Sequence, residues 1–162
     1  MVIINWLNKK ISGNSKITLR GAYHITVFQK QADGSEIKIR DDIKKNLLVT
    51  VGKDTLLKYI GEVTGGAKIE KIGVGDSTQA AVVGDTALVG TSSIKTISSA
   101  SRVYVRPTLF VSVEYGYSEA NFTWNELGLY DANDVLIARQ VDASPLVKDS
   151  SKRAIVEWQL TI

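Results

Sequence analysis

The chain has 162 residues, of which 44% are hydrophobic and 23% charged, enough for one domain with a buried core. It contains no cysteine, which excludes disulfides and thiolate metal sites. Its apolar runs are far shorter than the roughly 18 residues of a membrane-spanning helix. The opening MVIINWLNKKI lacks the order of a signal peptide, so we expect this segment to be retained and the chain to be made in a cytoplasm.

The net charge of +3 hides an asymmetry along the chain. Residues 1–60 carry 11 Lys and Arg against five Asp and Glu, a balance of +6, and residues 61–162 carry nine against 12, a balance of −3. Nucleic-acid binding requires basic side chains gathered on one face, whereas here they are scattered over loops and alternate strand positions. The pattern disfavours a nucleic-acid partner and fits charge-complementary contacts between neighbouring subunits equally well.

The first predicted element after an N-terminal arm, residues 1–20, is a β-hairpin. Apolar and polar residues alternate over 23–27 and again over 37–40, as in half-buried strands. Asp33-Gly34 between the two runs is a strong signal for a tight hairpin turn.

A helical segment and a long loop come next. Between 47 and 63, Leu and other aliphatic residues recur at helical spacing, and Gly65-Gly66 ends the run. Gly52 weakens the first half of this predicted helix. Residues 75–101 are rich in Gly, Ser, Thr and Ala, which indicates a long loop leading into a strand. Loops of this length in a compact domain are usually functional or ordered by a partner.

Four further segments are predicted to be strands. Residues 102–115 alternate throughout, so we predict one strand that is at an edge or bulged at Pro107, which cannot donate to a ladder. Residues 122–130 and 135–141 form a second hairpin around the turn 131–134, and the first of its strands is apolar on both faces. The alternation at 154–162 predicts a terminal strand. The chain is therefore predicted to be a mainly β antiparallel β-sandwich with one α-helix, in a single domain over residues 21–162.

The sequence gives little support for a metal site or for a catalytic site with a serine nucleophile. His24 is the sole histidine and lies in an alternating strand, and no Gly-x-Ser-x-Gly elbow is present. Asp131, Asn133, Asp134 and Asp142 suggest a calcium loop. However, a loop starting at Asp131 would place Val135 and Leu136 at positions that need a ligand and a glycine. A hairpin turn with Asx side chains bonded to their own backbone explains the stretch better.

Other residues suggest a dinucleotide site, a glycosidase pair or a sugar-stacking surface. Gly73-Val-Gly75 lacks the third glycine and the parallel unit of a dinucleotide site. Two of Glu114, Glu119 and Glu126 could act as a glycosidase pair, although solvated strand ends account for them as well. Five aromatic residues could stack on sugars, but core and interface positions are favoured. These residues are Tyr104, Tyr115, Tyr117, Trp124 and Tyr130.

Two stretches together carry a family resemblance. IGVGDSTQAAVVGDTALVG (72–90) follows the helical segment, and FTWNELGLYDANDVLIARQV (122–141) is followed by Lys148 and the terminal AIVEWQLTI. This order resembles bacteriophage tail and baseplate structural proteins of the tail-fibre, collar or adaptor type, over about residues 46–162. The middle loop lacks the prolines expected there. The resemblance implies a virion part that is made in the bacterial cytoplasm, forms a homo-oligomer and has no catalytic role.

We therefore expect a structural tail, neck or baseplate subunit that contacts itself and other tail or fibre proteins, without a cofactor or metal. The alternative from the aromatic residues is a carbohydrate-binding module for a host-surface glycan. The predicted partner-binding residues lie in the arm, on strands and in the second hairpin turn: Trp6, Leu7, Tyr104, Tyr117, Asp131 and Asn133.

Overall fold

The computed structural model describes residues 18–162 and consists mainly of ten antiparallel strands. They are β1 (Arg20–Lys30), β2 (Glu36–Lys45), β3 (Leu47–Leu48), β4 (Ile69–Gly75), β5 (Ser92–Thr96), β6 (Arg102–Val105), β7 (Thr108–Tyr115), β8 (Thr123–Asp131), β9 (Leu136–Val147) and β10 (Lys152–Thr161). One α-helix in this part of the chain, α1, spans Thr50–Ile60, and a 3-10 turn spans Ser99–Ser101. The predicted fold class and the predicted helix are confirmed.

The strands form two five-stranded sheets. Sheet A has the order β2-β1-β10-β7-β6, and sheet B has the order β3-β9-β8-β4-β5. The terminal strand β10 lies at the centre of sheet A between β1 and β7, so this part of the chain is held on both sides. The core between the sheets contains two aromatic pairs, Tyr23 with Trp158 and Tyr115 with Trp124.

The outer face of sheet B is covered by α1 and by the loop 76–91. The amide of Val49 donates to the carbonyl of Ile137 on β9, and the amide of Thr50 donates to the carbonyl of Val83 in the loop. This second layer explains why β8 is buried on both faces, as its apolar pattern predicted. The Asp33-Gly34 hairpin between β1 and β2 is also confirmed.

The prediction of one strand over 102–115 is wrong. The chain reverses at Arg106-Pro107, so that β6 and β7 form a hairpin in which Val105 pairs with Thr108. Two strands of a hairpin can both alternate with period two, and alternation alone does not reveal the reversal between them. Alternation through a single strand would place Val103 and Val105 on the same face as the buried Val111, but both are exposed on the edge strand β6.

The facing of two other strands also differs from the prediction. On β2, the side chains of Ile37 and Ile39 are exposed, while Arg40 lies opposite the buried Val27 and shares its inner face. On β8, an irregularity in register between Trp124 and Glu126 changes the alternation. Trp124 therefore packs in the same core cluster as Leu127 and Leu129, although strict alternation would place it on the opposite face of the strand.

Candidate functional site: a clamped loop and two exposed sheet edges

The loop 76–91 lies in a shallow depression on sheet B that two glycines create. Gly73 on β4 and Gly128 on β8 are directly paired across the sheet. A β-carbon on either glycine would come within about 3.0 Å of a methyl group of Leu88, which packs there beside Tyr130. The missing side chains therefore leave room for Leu88, which is half-buried there. The Gly-x-Gly and Gly-Asp-Thr-Ala-Leu stretches of the sequence are thus parts of one contact.

A buried ion pair on sheet B binds the same loop. Arg139 on β9 and Glu126 on β8 are both 0% exposed, and the Arg139 Nη2 atom lies 2.7 Å from the Glu126 Oε2 atom. The Arg139 guanidinium also reaches Asp85 Oδ2 at 2.8 Å and donates to the carbonyl of Gln79 at 2.9 Å. One guanidinium thus joins both strands of the hairpin to the loop.

The neighbouring polar groups of β8 complete this attachment. The Glu126 carboxylate accepts the amides of Val89 and Gly90 at 3.1 and 2.9 Å. The amide of Leu88 donates to the Tyr130 hydroxyl at 2.9 Å, and the Asn125 side-chain amide donates to the carbonyl of Asp76 at 2.6 Å. We call loop 76–91 with its contacts to β8 and β9 the loop clamp.

The charges of the loop clamp are mutually stabilising. Burial alone would lower the pKa of the Arg139 guanidinium, but the carboxylates of Asp85 and Glu126 raise it above its usual value. Burial would likewise raise the pKa of Asp85, and the amide of Val82 together with Arg139 holds it below its usual value. Arg139 and Asp85 therefore both stay ionised within the protein, where an uncompensated charge would be costly.

The turn 131–134 is a scaffold element. One oxygen of Asp131 accepts the amides of Asn133 and Val135, each at 2.8 Å, and the other accepts the hydroxyl of Thr55 on α1 at 2.6 Å. The Asx-turn interpretation is confirmed. Asp131, predicted to bind a partner, is not on the surface, because its side chain is fully buried between the turn and the helix. Asn133 is exposed, and its role in partner binding stays a prediction.

The carboxylates considered as metal ligands or as a glycosidase pair bond to different partners within the chain. Asp134 pairs with Lys71 at 2.5 Å, and Glu119 pairs with Lys95 at 2.8 Å. Glu126 is enclosed in the loop clamp. Within residues 18–162, no group of three His, Cys, Asp or Glu is placed to hold a metal ion. His24 is half-buried on its strand, as predicted, and bonds Asp41 at 2.5 Å.

A second ionic cluster joins sheet A to sheet B. The nearly buried carboxylate of Asp142 on β9 lies 2.6 Å from Arg40 Nη2 and 2.5 Å from Lys44 Nζ, both on β2, and accepts the amide of Ser144 at 2.8 Å. Burial would raise the pKa of Asp142, but these donors hold it below its usual value. The polar inner face of β2 is thus matched by a carboxylate from the other sheet.

The Asp142 cluster predicts an acid-dependent loss of stability. A depressed folded-state pKa stabilises the protein above the unfolded-state pKa, near 3.8, and the contribution is lost as the pH falls through the folded value. We expect Asp142→Asn to lower the free energy of unfolding by about 1.5–3 kcal/mol at pH 7. The difference from wild type will shrink below about pH 4 in urea titrations. A difference that stays constant down to pH 2.5 would contradict this assignment.

Both edge strands of sheet A expose apolar side chains. On β6, Val103, Tyr104 and Val105 are 51%, 66% and 60% exposed. At the opposite edge, Ile37 and Ile43 of β2 are 50% and 62% exposed. An edge strand presents unpaired backbone groups, and a partner chain can add a strand there. Tyr104, predicted to bind a partner, therefore lies on an exposed edge.

The aromatic residues proposed to stack on sugars divide between core and surface. Tyr115, Trp124 and Tyr130 are buried, which removes Trp124 from the sugar-binding alternative. Tyr117 is half-buried, its hydroxyl donates to Glu36, and Lys30 lies 6.0 Å from its ring centroid. The structure brings Tyr104 and Tyr117 to different places, one on β6 and one in the loop after β7. Trp6 and Leu7 lie outside the described residues.

Sequence reasoning missed Arg139 and Asp85, which hold the loop clamp together. A usable signal was present, since Arg139 is a charged residue within the apolar run VLIARQV and Glu126 occupies a similar place in the preceding strand. Charged residues in strands buried on both faces are nearly always paired. Lys148 is a similar case, since it is buried and donates to the carbonyl of Gly116 at 2.8 Å.

Comparison of the chain with protein-family models, with curated proteins and with solved structures finds no match. Among the residues that the structure describes, no helix has the length and apolar character needed to cross a bilayer.

Proposed function

We propose that this chain is a structural protein of a bacteriophage tail, neck or baseplate, acting as a homo-oligomer that connects to other tail or fibre proteins. The observation that carries the proposal is the loop clamp. Its polar groups come from the two stretches on which the family resemblance rests, and they all bond within the chain. Those stretches therefore serve to build a rigid scaffold, which is what an assembly subunit requires.

The two exposed edges of sheet A support a head-to-tail mode of assembly. They lie at opposite ends of one sheet, so β6 of one copy can pair with β2 of the next without occupying the same surface twice. Contacts between two different surfaces generate rings when the rotation closes and filaments when it does not. Both outcomes suit a tube-like or collar-like particle.

Substitution at the β6 edge tests this assembly mode. We expect the double variant Val103→Lys and Val105→Lys to lower the oligomer mass, because charged side chains on an edge strand oppose edge-to-edge pairing. Native mass spectrometry and light scattering give the mass. The melting temperature of the variant subunit should remain within about 2 °C of the unassembled wild type, since exposed substitutions change stability little.

Val147→Lys provides the matched control, because Val147 is 62% exposed but lies on β9 in sheet B. The control should retain the wild-type mass. A wild-type chain that remains monomeric at high concentration, and that binds no purified tail component, would refute the proposal. Imaging of intact phage particles carrying a tag on this protein would show whether and where it is incorporated.

A further inference from the structure

A basic groove lies where the chain passes from sheet A to sheet B. It has a volume of about 560 Å³ and is bounded by the start of β1, the β2–β3 link, β3 and the first turns of α1. Its lining combines three cationic side chains, one amide and several apolar residues: Leu19, Arg20, Gly21, Lys45, Asn46, Leu47, Leu48 and Lys53. The groove is separate from the loop clamp and from the β6 edge.

The cations of this groove stand out because they are not neutralised. Residues 18–162 contain 17 Lys and Arg, of which 11 have a described carboxylate within 4.0 Å, which leaves six. Three of those six, Arg20, Lys45 and Lys53, line the groove. Residues 1–17 contain three lysines and no Asp or Glu, so that segment offers no carboxylate side chain to the groove.

The amide of Asn46 is a second, independent indication of a ligand. Neither its Oδ1 nor its Nδ2 atom has a hydrogen-bond partner among the described residues, although both are buried. The side chain lies against Gly21, where a β-carbon would collide with it. A buried polar group without a partner is costly, and a peptide group offers both the donor and the acceptor that a carboxamide needs.

We propose that this groove binds an extended acidic peptide segment of a partner protein. Carboxylates of the segment would face Arg20, Lys45 and Lys53, and apolar side chains would contact Leu19 and Leu47. The groove runs beside β3, a two-residue strand at the edge of sheet B, where an added strand finds free backbone groups. The cationic lining attracts an acidic peptide and repels the lysine-bearing segment 1–17 of a second copy, so we favour the acidic peptide as the occupant. The inference does not depend on the proposed tail function.

The test uses a fluorescent ten-residue peptide of alternating Glu and Leu, with fluorescence anisotropy measured against the full chain at low and physiological salt. We expect saturable binding that the double variant Lys45→Gln and Lys53→Gln weakens at least tenfold. The control double variant, Lys30→Gln and Arg106→Gln, removes two unneutralised cations outside the groove and should bind as wild type. If both double variants weaken peptide binding equally, the net charge of the protein explains the binding, and the proposal is overturned.

Two further measurements separate peptide binding from simpler explanations. Asn46→Leu should weaken peptide binding while leaving the urea midpoint equal to or above that of wild type, because it removes an unsatisfied amide. A peptide of alternating Gln and Leu should bind at least tenfold more weakly than the Glu peptide. Binding of inorganic phosphate without binding of the Glu peptide would show a small-anion site and overturn the proposal, as would equal binding of the Gln peptide.

Discussion

Replacement of Arg139 by methionine is expected to lower the free energy of unfolding by about 3–5 kcal/mol, which is typical of breaking a buried ion pair by removing one partner. The change leaves the fully buried Glu126 carboxylate without its counter-charge and Asp85 without its cation. Methionine fills much of the volume of the arginine stem, so the loss measures the charge and hydrogen bonds more than a cavity. Equilibrium urea denaturation at pH 7 gives the value.

The same variant should release the loop 76–91 before the rest of the protein unfolds. The amides of Val89 and Gly90 bond the Glu126 carboxylate, and Arg139 binds two loop carbonyls, those of Gln79 and Ala80. Without Arg139, the loop loses its bonds to β9 and the Glu126 carboxylate loses its counter-charge. The rate of hydrogen exchange at the amides of Val89 and Gly90 should therefore rise well above that of the β8 amides. Sheet A should keep its wild-type protection pattern.

Two companion variants show whether charge is the cause. Lys58→Met breaks an exposed pair with Asp54 on α1 and should cost less than about 0.5 kcal/mol. Adding Glu126→Gln to Arg139→Met should recover part of the lost stability, because the amide is neutral and its oxygen still accepts the loop amides. If the double variant is as unstable as the sum of the two single variants, the electrostatic explanation of the clamp is incorrect.

The elements predicted correctly from the sequence are those specified by local signals. The first hairpin has Asp33-Gly34 between two alternating runs, and its glycine has the positive φ that such turns require. The helix was found from aliphatic spacing, and the terminal strand from alternation over 154–162. In each case one short stretch carries the pattern, so no knowledge of the other layers is needed to identify the element, although the helix is shorter than the aliphatic run 47–63 and spans Thr50–Ile60.

The features that sequence analysis missed depend on which layer covers which face. Alternation along β2 favours a buried face made by the apolar Ile37 and Ile39, but both are exposed. Asp142 from the other sheet makes a charged inner face favourable instead. The reversal at Pro107 lacks a glycine or asparagine signal. The Arg139–Glu126 pair crosses between strands, and its loop partner Asp85 is more than 40 residues away in sequence. Nothing within one segment specifies these contacts.

Substitution of Gly52 in α1 is the second change with a large expected effect. Helix propensity predicts that alanine there stabilises the protein, whereas tertiary packing predicts that it destabilises the protein. Alanine in place of Gly52 would favour an isolated helix by about 1 kcal/mol. In the folded protein, a β-carbon on Gly52 would overlap the backbone Cα and carbonyl oxygen of Ile137 on β9. Those are main-chain atoms of a buried strand, and the same carbonyl accepts the amide of Val49. The helix must therefore move away from sheet B to accommodate the methyl group.

We expect Gly52→Ala to be destabilising by about 2–3 kcal/mol in urea denaturation, within the range for overpacked cores. The displacement should also weaken the Thr55–Asp131 hydrogen bond that joins α1 to the second hairpin turn. Gly84→Ala is the matched control, because a β-carbon there meets no atom within 4 Å and the φ of Gly84 is not positive. It should be neutral or slightly stabilising. Stabilisation by Gly52→Ala would mean that α1 does not rest on β9 at this distance, and that the second layer over sheet B is looser than the structure shows.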